Sequence, residues 1–193
     1  IFLFKNSTAY LSNLPGTNIY MEDITFDEKN RILDRNQIMQ KIKRMAYELY
    51  ENNFEEKDFL LAGIQENGYV LAQLLAKELE NIAGVKIELA SITLDKIHPL
   101  EHPILVEPAQ VNLKQRVVIL VDDVLNTGKT LAYAMQAFLK TEVKKVETVT
   151  LINRHHTLYP ISATYTGLSL STTLQEHIRV VLTEGSRFGA YLI

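Results

Sequence analysis

Residues 117–131 read Val-Val-Ile-Leu-Val-Asp-Asp-Val-Leu-Asn-Thr-Gly-Lys-Thr-Leu. An apolar run ends in two adjacent carboxylates, Asp122 and Asp123. A short loop with Thr127, Gly128, Lys129 and Thr130 follows, and a helical pattern starts at Leu131. This order suits a sugar phosphate. Loop N–H groups and a helix N-terminus attract an anion, because unpaired amide donors and the helix dipole both favour negative charge. Gly128 lets the backbone approach closely and adopt positive φ. The carboxylates can accept hydrogen bonds from ribose hydroxyls, or hold Mg²⁺ through water.

Adjacent strand residues point to opposite sides, so both carboxylates reach one ligand only where the strand ends and bends. A lone Asp-Asp would read as the charged exit of a buried strand. The Thr-Gly-Lys-Thr sequence and the helix after it change that balance toward a phosphate site. It is not the nucleoside-triphosphate loop, which needs Gly, four residues, then Gly-Lys-Ser/Thr. Here the first glycine would fall on Asp123, whose charge would repel the wrapped phosphates. The dinucleotide fingerprint Gly-x-Gly-x-x-Gly is also missing.

A second turn carries the same logic. Gln65, Glu66, Asn67 and Gly68 follow the apolar segment Phe59 to Ile64 and open a helix at Tyr69. Taken alone, these four residues fit an ordinary strand-to-helix turn equally well.

The segment from Val117 to Leu131 resembles the 5-phosphoribosyl pyrophosphate (PRPP) motif of type I phosphoribosyltransferases. Ile32-Leu33-Asp34 to Asn52, Leu61-Ala62-Gly63-Ile64 with Gly68, Ile92-Thr93-Leu94, and Ile152-Asn153-Arg154-His155 through Pro160-Ile161 extend it. Together they are similar to the PyrR-like group of pyrimidine-operon attenuators and uracil phosphoribosyltransferases. The similarity covers about residues 31 to 193. It implies an α/β type I phosphoribosyltransferase fold: a central parallel sheet flanked by helices, a small β-rich hood and a flexible lid loop.

The resemblance also implies roles. Asp122 and Asp123 would contact the ribose hydroxyls and hold Mg²⁺ through water. Leu125, Asn126, Thr127, Gly128, Lys129 and Thr130 would cradle the 5′-phosphate. Gln65, Glu66, Asn67 and Gly68 would form the pyrophosphate loop. Lys96 and His98 are lid candidates, and Arg154 and His155 hood candidates. Partners would be PRPP, a nucleobase or the product nucleotide, and a second copy of the chain in a homo-oligomer, often a dimer.

Two departures stand out. The family usually has Thr-Arg-Gly where this chain has Glu66-Asn67-Gly68. Losing the arginine removes a bidentate phosphate partner, and Glu66 adds negative charge beside pyrophosphate unless it turns outward or binds the metal. The family's lid strand typically runs into Tyr-Arg-Asp-Asp; here it runs into Asp95-Lys96-Ile97-His98. Charge develops on the departing pyrophosphate, so cations in the lid matter. Lys96 and His98 are what remains to serve, beside the plain alternative of a solvated loop.

Asn126 bears on the base. Purine-salvage relatives carry an aspartate at this loop position, and Asn cannot accept a proton, which disfavours a purine. His98 and His102 flank Glu101, yet Pro99 and Pro103 forbid the regular helix a zinc pair would need. His155 and His156 are adjacent and do not easily face one ion.

The bulk properties are those of one ordinary α/β domain. The chain has 193 residues, 47% hydrophobic and 22% charged, with a net charge of −3. That charge gives no general support for a nucleic-acid surface. Zero cysteines exclude disulfides and thiolate metal sites and fit a cytoplasmic setting. No apolar run approaches the roughly 20 residues of a membrane span. Residues 1–30 lie outside the resemblance and read as an N-terminal extension, with Met21 a natural start.

Periodicity supplies the elements. Asp34 caps a helix from Arg35 to about Glu51, and Tyr69 to Ile82 forms a second. Val85 to Leu94 alternates as a partly exposed strand. Asp95 to Gln115 is a long loop with three prolines, the kind that serves as a lid. Val117 to Val124 is a central strand, Leu131 to Lys140 a helix, and Val146 to Ile152 another strand. Short β pieces follow at Ala163 to Thr166, Ile178 to Leu182 and Tyr191 to Ile193. Strands alternating with helices imply a parallel sheet with ligands at the strands' carboxyl ends.

Two functions stay open at this point. One is a Mg²⁺-dependent transferase joining ribose 5-phosphate to a base, uracil first, with pyrophosphate released. The other is a nucleotide-sensing regulator that keeps the ligand site and binds RNA or a protein.

Overall fold

A computed structural model describes residues 28–193 apart from 184 and 186. The expected extension falls largely outside these residues. After a 3₁₀ turn at Glu28–Asn30, the chain forms β1 (Arg31–Leu33), α1 (Arg35–Asn52), β2 (Asp58–Ile64), α2 (Asn67–Ala83) and β3 (Lys86–Thr93). It continues with β4 (Leu105–Glu107), β5 (Val117–Leu125), α3 (Lys129–Met135) and β6 (Lys145–Asn153). The last strands are β7 (Tyr165–Ser169), β8 (Ile178–Val181) and β9 (Gly189–Leu192).

Six strands form one sheet in the order β4-β3-β2-β5-β6-β7. All neighbours are parallel except β4, which runs antiparallel on the β3 edge. Strand β5 sits at the centre, and its alternation explains why. Val117, Ile119 and Val121 face the core beneath α1 and α2, while Val118 and Leu120 face the core beneath α3. A strand buried on both faces reads as an unbroken apolar run.

α1 follows the sequence pattern closely. The Asp34 carboxylate accepts from Gln37 N at 2.8 Å, and the Gln37 side chain accepts from Asp34 N at 2.9 Å, a complete capping box. Ile38, Ile42, Met45, Ala46 and Leu49 are buried. Each large one contributes roughly 1.5–3 kcal/mol by leaving water.

Two elements differ from expectation, and the last strands form the expected hood. α3 ends at Met135, and the pattern continues as tight turns with i to i−3 bonds from Gln136, Ala137 and Phe138. The tighter winding still buries Phe138 completely. The lid loop contains β4, whose pairing with β3 anchors the lid's return. The last strands do not extend the main sheet as a group. β8 and β9 join β1 in a separate antiparallel sheet of order β1-β9-β8, the hood. Strand β1 has only three residues, too short for a periodic signal to mark it.

Candidate functional site

The carboxyl ends of β2, β3 and β5 converge, and the candidate residues gather there. Asp122 and Asp123 lie near the end of β5 and look into different hollows. Asp123 lines a cleft of about 350 Å³ with Gln65, Glu66, Asn67, Thr93, Leu94 and Lys96. Asp122 lines a smaller hollow of about 110 Å³ with the loop from Val124 to Gly128 and with Thr130 and Leu131. The opposite orientation of neighbouring strand residues is thus retained, and the two acids flank the strand end from both sides.

Backbone donors hold both carboxylates. Asp123 N donates to Asp122 Oδ1 at 3.0 Å, and Val124 N donates to Asp123 Oδ1 at 3.0 Å. Asn67 Nδ2 donates to Asp123 Oδ2 at 3.0 Å. Burial is the first cause that raises the Asp122 carboxyl well above the ordinary carboxylate range, and the Asp123 charge adds to it. Lys96 acts in the opposite direction. A cation placed between these groups would relieve the repulsion.

The donor set fits Mg²⁺. Both groups are hard carboxylates, and two protein oxygens leave the remaining octahedral positions to water and substrate, the usual arrangement for that ion. Among the described residues no group of three or more metal-ligating side chains exists, so a closed protein cage is not the design.

The loop of residues 125–130 is shaped by close approach. Gly128 has φ 82°, and a Cβ there would lie 3.3 Å from the Tyr159 carbonyl oxygen. Leu158 N and Tyr159 N both donate to the Thr127 carbonyl, at 2.9 and 3.0 Å. Lys129 N donates to Thr127 Oγ1 at 3.3 Å. The loop is therefore braced by residues 158–159, which the sequence pattern did not single out. Lys129 Nζ donates to the Ile97 carbonyl at 2.8 Å and joins this loop to the lid.

The turn of Gln65–Gly68 is packed against β5. Its Gln65–Glu66 peptide is cis. A Cβ on Gly68 would lie 2.7 Å from the Val121 carbonyl oxygen and 3.1 Å from Asp122 Cα. Only glycine lets the turn sit this close to the acids. In the lid, the Asp95 carboxylate accepts from Ile97 N at 2.8 Å and His98 N at 2.9 Å. The bonds from His98 and Ile97 hold the Asp95 carboxyl below its usual range. The folded turn carries Lys96 into the cleft.

The structure brings together Asp122, Asp123, residues 125–130, residues 65–68 and Lys96. None of the other candidates lines either hollow, although Arg154 N borders the loop by donating to the Leu125 carbonyl at 3.0 Å. His98 pairs with Glu101 at 3.6 Å on the surface. His155 is exposed with φ 57°. Arg154 is 4% exposed, and its guanidinium donates to Thr172 Oγ1 and to the carbonyls of Thr173 and Glu176. It holds the segment leading into β8 and supports the hood from beneath. His156, weighed in the sequence only as a poor metal partner of His155, joins it by contacting the Thr172 carbonyl at 2.8 Å. Thr93 and Leu94 line the cleft as well; the rule that ligands sit at strand carboxyl ends was the signal for them.

A hollow of about 490 Å³ opens at the opposite end of the sheet around Arg116. That guanidinium is committed to Asp58, Glu88 and the Phe59 carbonyl.

Residues 28–182 match the model of the phosphoribosyl transferase domain. Similar proteins include the bifunctional protein PyrR of Clostridium novyi, 33% identical over 163 residues, 81% of this chain and 92% of that protein. The bifunctional protein PyrR of Alkaliphilus metalliredigens is 36% identical over 160 residues, 79% of this chain and 88% of that protein. Among solved structures, a hypoxanthine-guanine phosphoribosyltransferase from Bacillus anthracis superposes with a TM-score of 0.69 at 18% identity, covering 85% of this chain and 98% of that one. The hypoxanthine phosphoribosyltransferase of Trypanosoma cruzi gives 0.70 at 14% identity, covering 84% and 95%. At these identities the structural likeness bears on the fold alone.

Proposed function

This chain belongs to the phosphoribosyl transferase domain family, and from that premise we propose that it transfers the ribose 5-phosphate of PRPP to a pyrimidine, uracil first. One observation carries the proposal: two carboxylates at the end of the central strand flanked by a phosphate-sized hollow on one side and a larger cleft on the other.

In this proposal the 5′-phosphate sits in the hollow of residues 125–130, held by loop amides and the start of α3. Asp122 and Asp123 accept from the ribose hydroxyls. The pyrophosphate lies in the cleft between the turn of Gln65–Gly68 and Lys96. A C–N bond forms to the base as the C–O bond to pyrophosphate breaks, the proton on that base nitrogen passes to water, and positive charge grows on the ribose near the carboxylates. Bound between the acids and the pyrophosphate, Mg²⁺ would supply neutralising charge to the leaving group. Asn126 offers no base for a purine proton, in keeping with a pyrimidine. A cytoplasmic homo-oligomer is part of the same proposal.

The test is pyrophosphate release with each common base. Release that requires uracil and Mg²⁺ is the expected result; no release with any base would sink the transferase.

A second function has an observation in its favour. The pyrophosphate cleft is lined by Glu66 and Asp123 against one cation, Lys96, and relatives carry the name bifunctional. A nucleotide-sensing regulator that binds RNA or a protein would keep the phosphate loop and need less charge in this cleft. Binding of UMP without PRPP turnover, with a salt-sensitive shift of a structured leader RNA, would favour it.

A further inference from the structure

Asn67 is the first residue of α2, and its amide does two jobs at once. Nδ2 donates to Asp123 Oδ2 at 3.0 Å and to the Val180 carbonyl in β8 at 2.9 Å. The two acceptors belong to different sheets. Asp123 lies near the end of the central strand of the main sheet, and Val180 is a buried residue of the hood. One NH₂ group has two hydrogens, so both bonds form together without competition. We propose that Asn67 is a positioning residue that sets the distance between the hood and the ribose-facing carboxylate. It fixes the Asp123 side chain in one orientation and docks β8 on the end of β5.

The chemistry of the group suits this task. Asp123 Oδ1 is already held by Val124 N, so the Asn67 bond completes a two-point grip that stops the carboxylate from rotating. An amide holds the carboxylate and leaves its charge for ligand or metal. The bond to Val180 passes any hood movement to the carboxylate directly. This proposal rests on the ribose role assigned to Asp123 above.

The competing roles for Asn67 are local, at the start of a helix, and direct, in the pyrophosphate loop. The roles part on Asn67→Asp and on the choice of ligand. A carboxylate in the first turn favours a helix, so a local role predicts a variant equal to or better than the native chain. The strut predicts the opposite, because a carboxylate has no hydrogen to donate to Asp123 or to the Val180 carbonyl and both bonds are lost. A direct role predicts weaker PRPP binding with UMP binding unchanged, since UMP carries no pyrophosphate.

The experiment has two arms on the full chain at neutral pH. The first measures binding of PRPP with Mg²⁺, and of UMP, by calorimetry. Asn67→Ala and Asn67→Asp should each lose about tenfold or more in affinity for both ligands, as expected for a bond to a charged group. Native UMP affinity in both variants overturns the proposal. The second arm measures amide exchange of residues 178–181 without ligand. Both variants should exchange about tenfold faster there, as expected when one docking bond of about 1.4 kcal/mol is lost. Unchanged exchange overturns the proposal. Native protein that binds neither ligand would refute the proposed function, and the exchange arm would still decide the strut. If Asn67→Ala does not fold, Asn67→Asp, which keeps the size of the side chain, gives the same contrast.

Discussion

Lys129 Nζ donates to the Ile97 carbonyl at 2.8 Å, so the loop of residues 125–130 grips the base of the lid. Under the proposed function the same loop holds the 5′-phosphate. Lys129→Met should free the segment 95–101 and weaken UMP and PRPP together. A loss of roughly tenfold in affinity is expected for removing one exposed cation and its bond. Calorimetry and exchange of the lid amides would check it; a change confined to affinity would separate the lysine from the lid.

Asp122 sets stability against function. Burial and the neighbouring Asp123 raise its carboxyl well above the ordinary carboxylate range. The folded state then binds the proton more tightly than the unfolded chain. Folding is favoured while the group is protonated, and that advantage is lost as pH rises through the folded value. Asp122→Asn removes the charge. It should melt higher than the native chain at neutral pH without Mg²⁺, and the difference should shrink as the medium is made acidic. The same variant should lose PRPP binding. Equal melting differences at neutral and acid pH would contradict the account.

Gly63 in β2 and Gly68 in the turn of Gln65–Gly68 should not accept a methyl group. A Cβ on Gly63 would lie 2.4 Å from Tyr69 Cα, and one on Gly68 2.7 Å from the Val121 carbonyl oxygen. Both neighbours are backbone and cannot swing away. Gly63→Ala and Gly68→Ala should each cost about 1–3 kcal/mol in denaturant unfolding. Gly68→Ala should also displace Asp122 and reduce ligand affinity more than its stability loss explains.

Arg154 should act through the hood. Its guanidinium is buried and holds Thr172 Oγ1 and the carbonyls of Thr173 and Glu176. Arg154→Ala would strip part-buried acceptors of a charged donor and should cost about 1.5–3 kcal/mol. Arg154→Lys keeps the charge and loses the planar fork, so it should recover only part. Urea midpoints and exchange over 170–177 would measure both.

The sequence disclosed what local order controls. The apolar run of β5, the capping box at Asp34 and the glycine-bearing phosphate loop each depend on residues a few positions apart, and their types state their roles. The pairing of Asn67 with Asp123 spans 56 residues, and nothing in either neighbourhood announces it. The resemblance alone marks Arg154 as a hood candidate. Only the packed structure shows its donors taken by the segment before β8. The early end of α3 was hidden for a different reason. Turns with i to i−3 bonds keep an apolar residue such as Phe138 inward almost as a helix would, so periodicity does not separate them.

The hood is closed by the pairing of β1 with β9, residues that lie at opposite extremes of the described chain. During synthesis the main sheet, both carboxylates and the phosphate loop can be complete before residues 189–192 leave the ribosome. Until then β1 has no partner strand and the sheet it belongs to does not exist. The hood is therefore assembled after the main sheet it docks on, and a nascent chain that has not yet released residues 189–192 would present both carboxylates under an open roof.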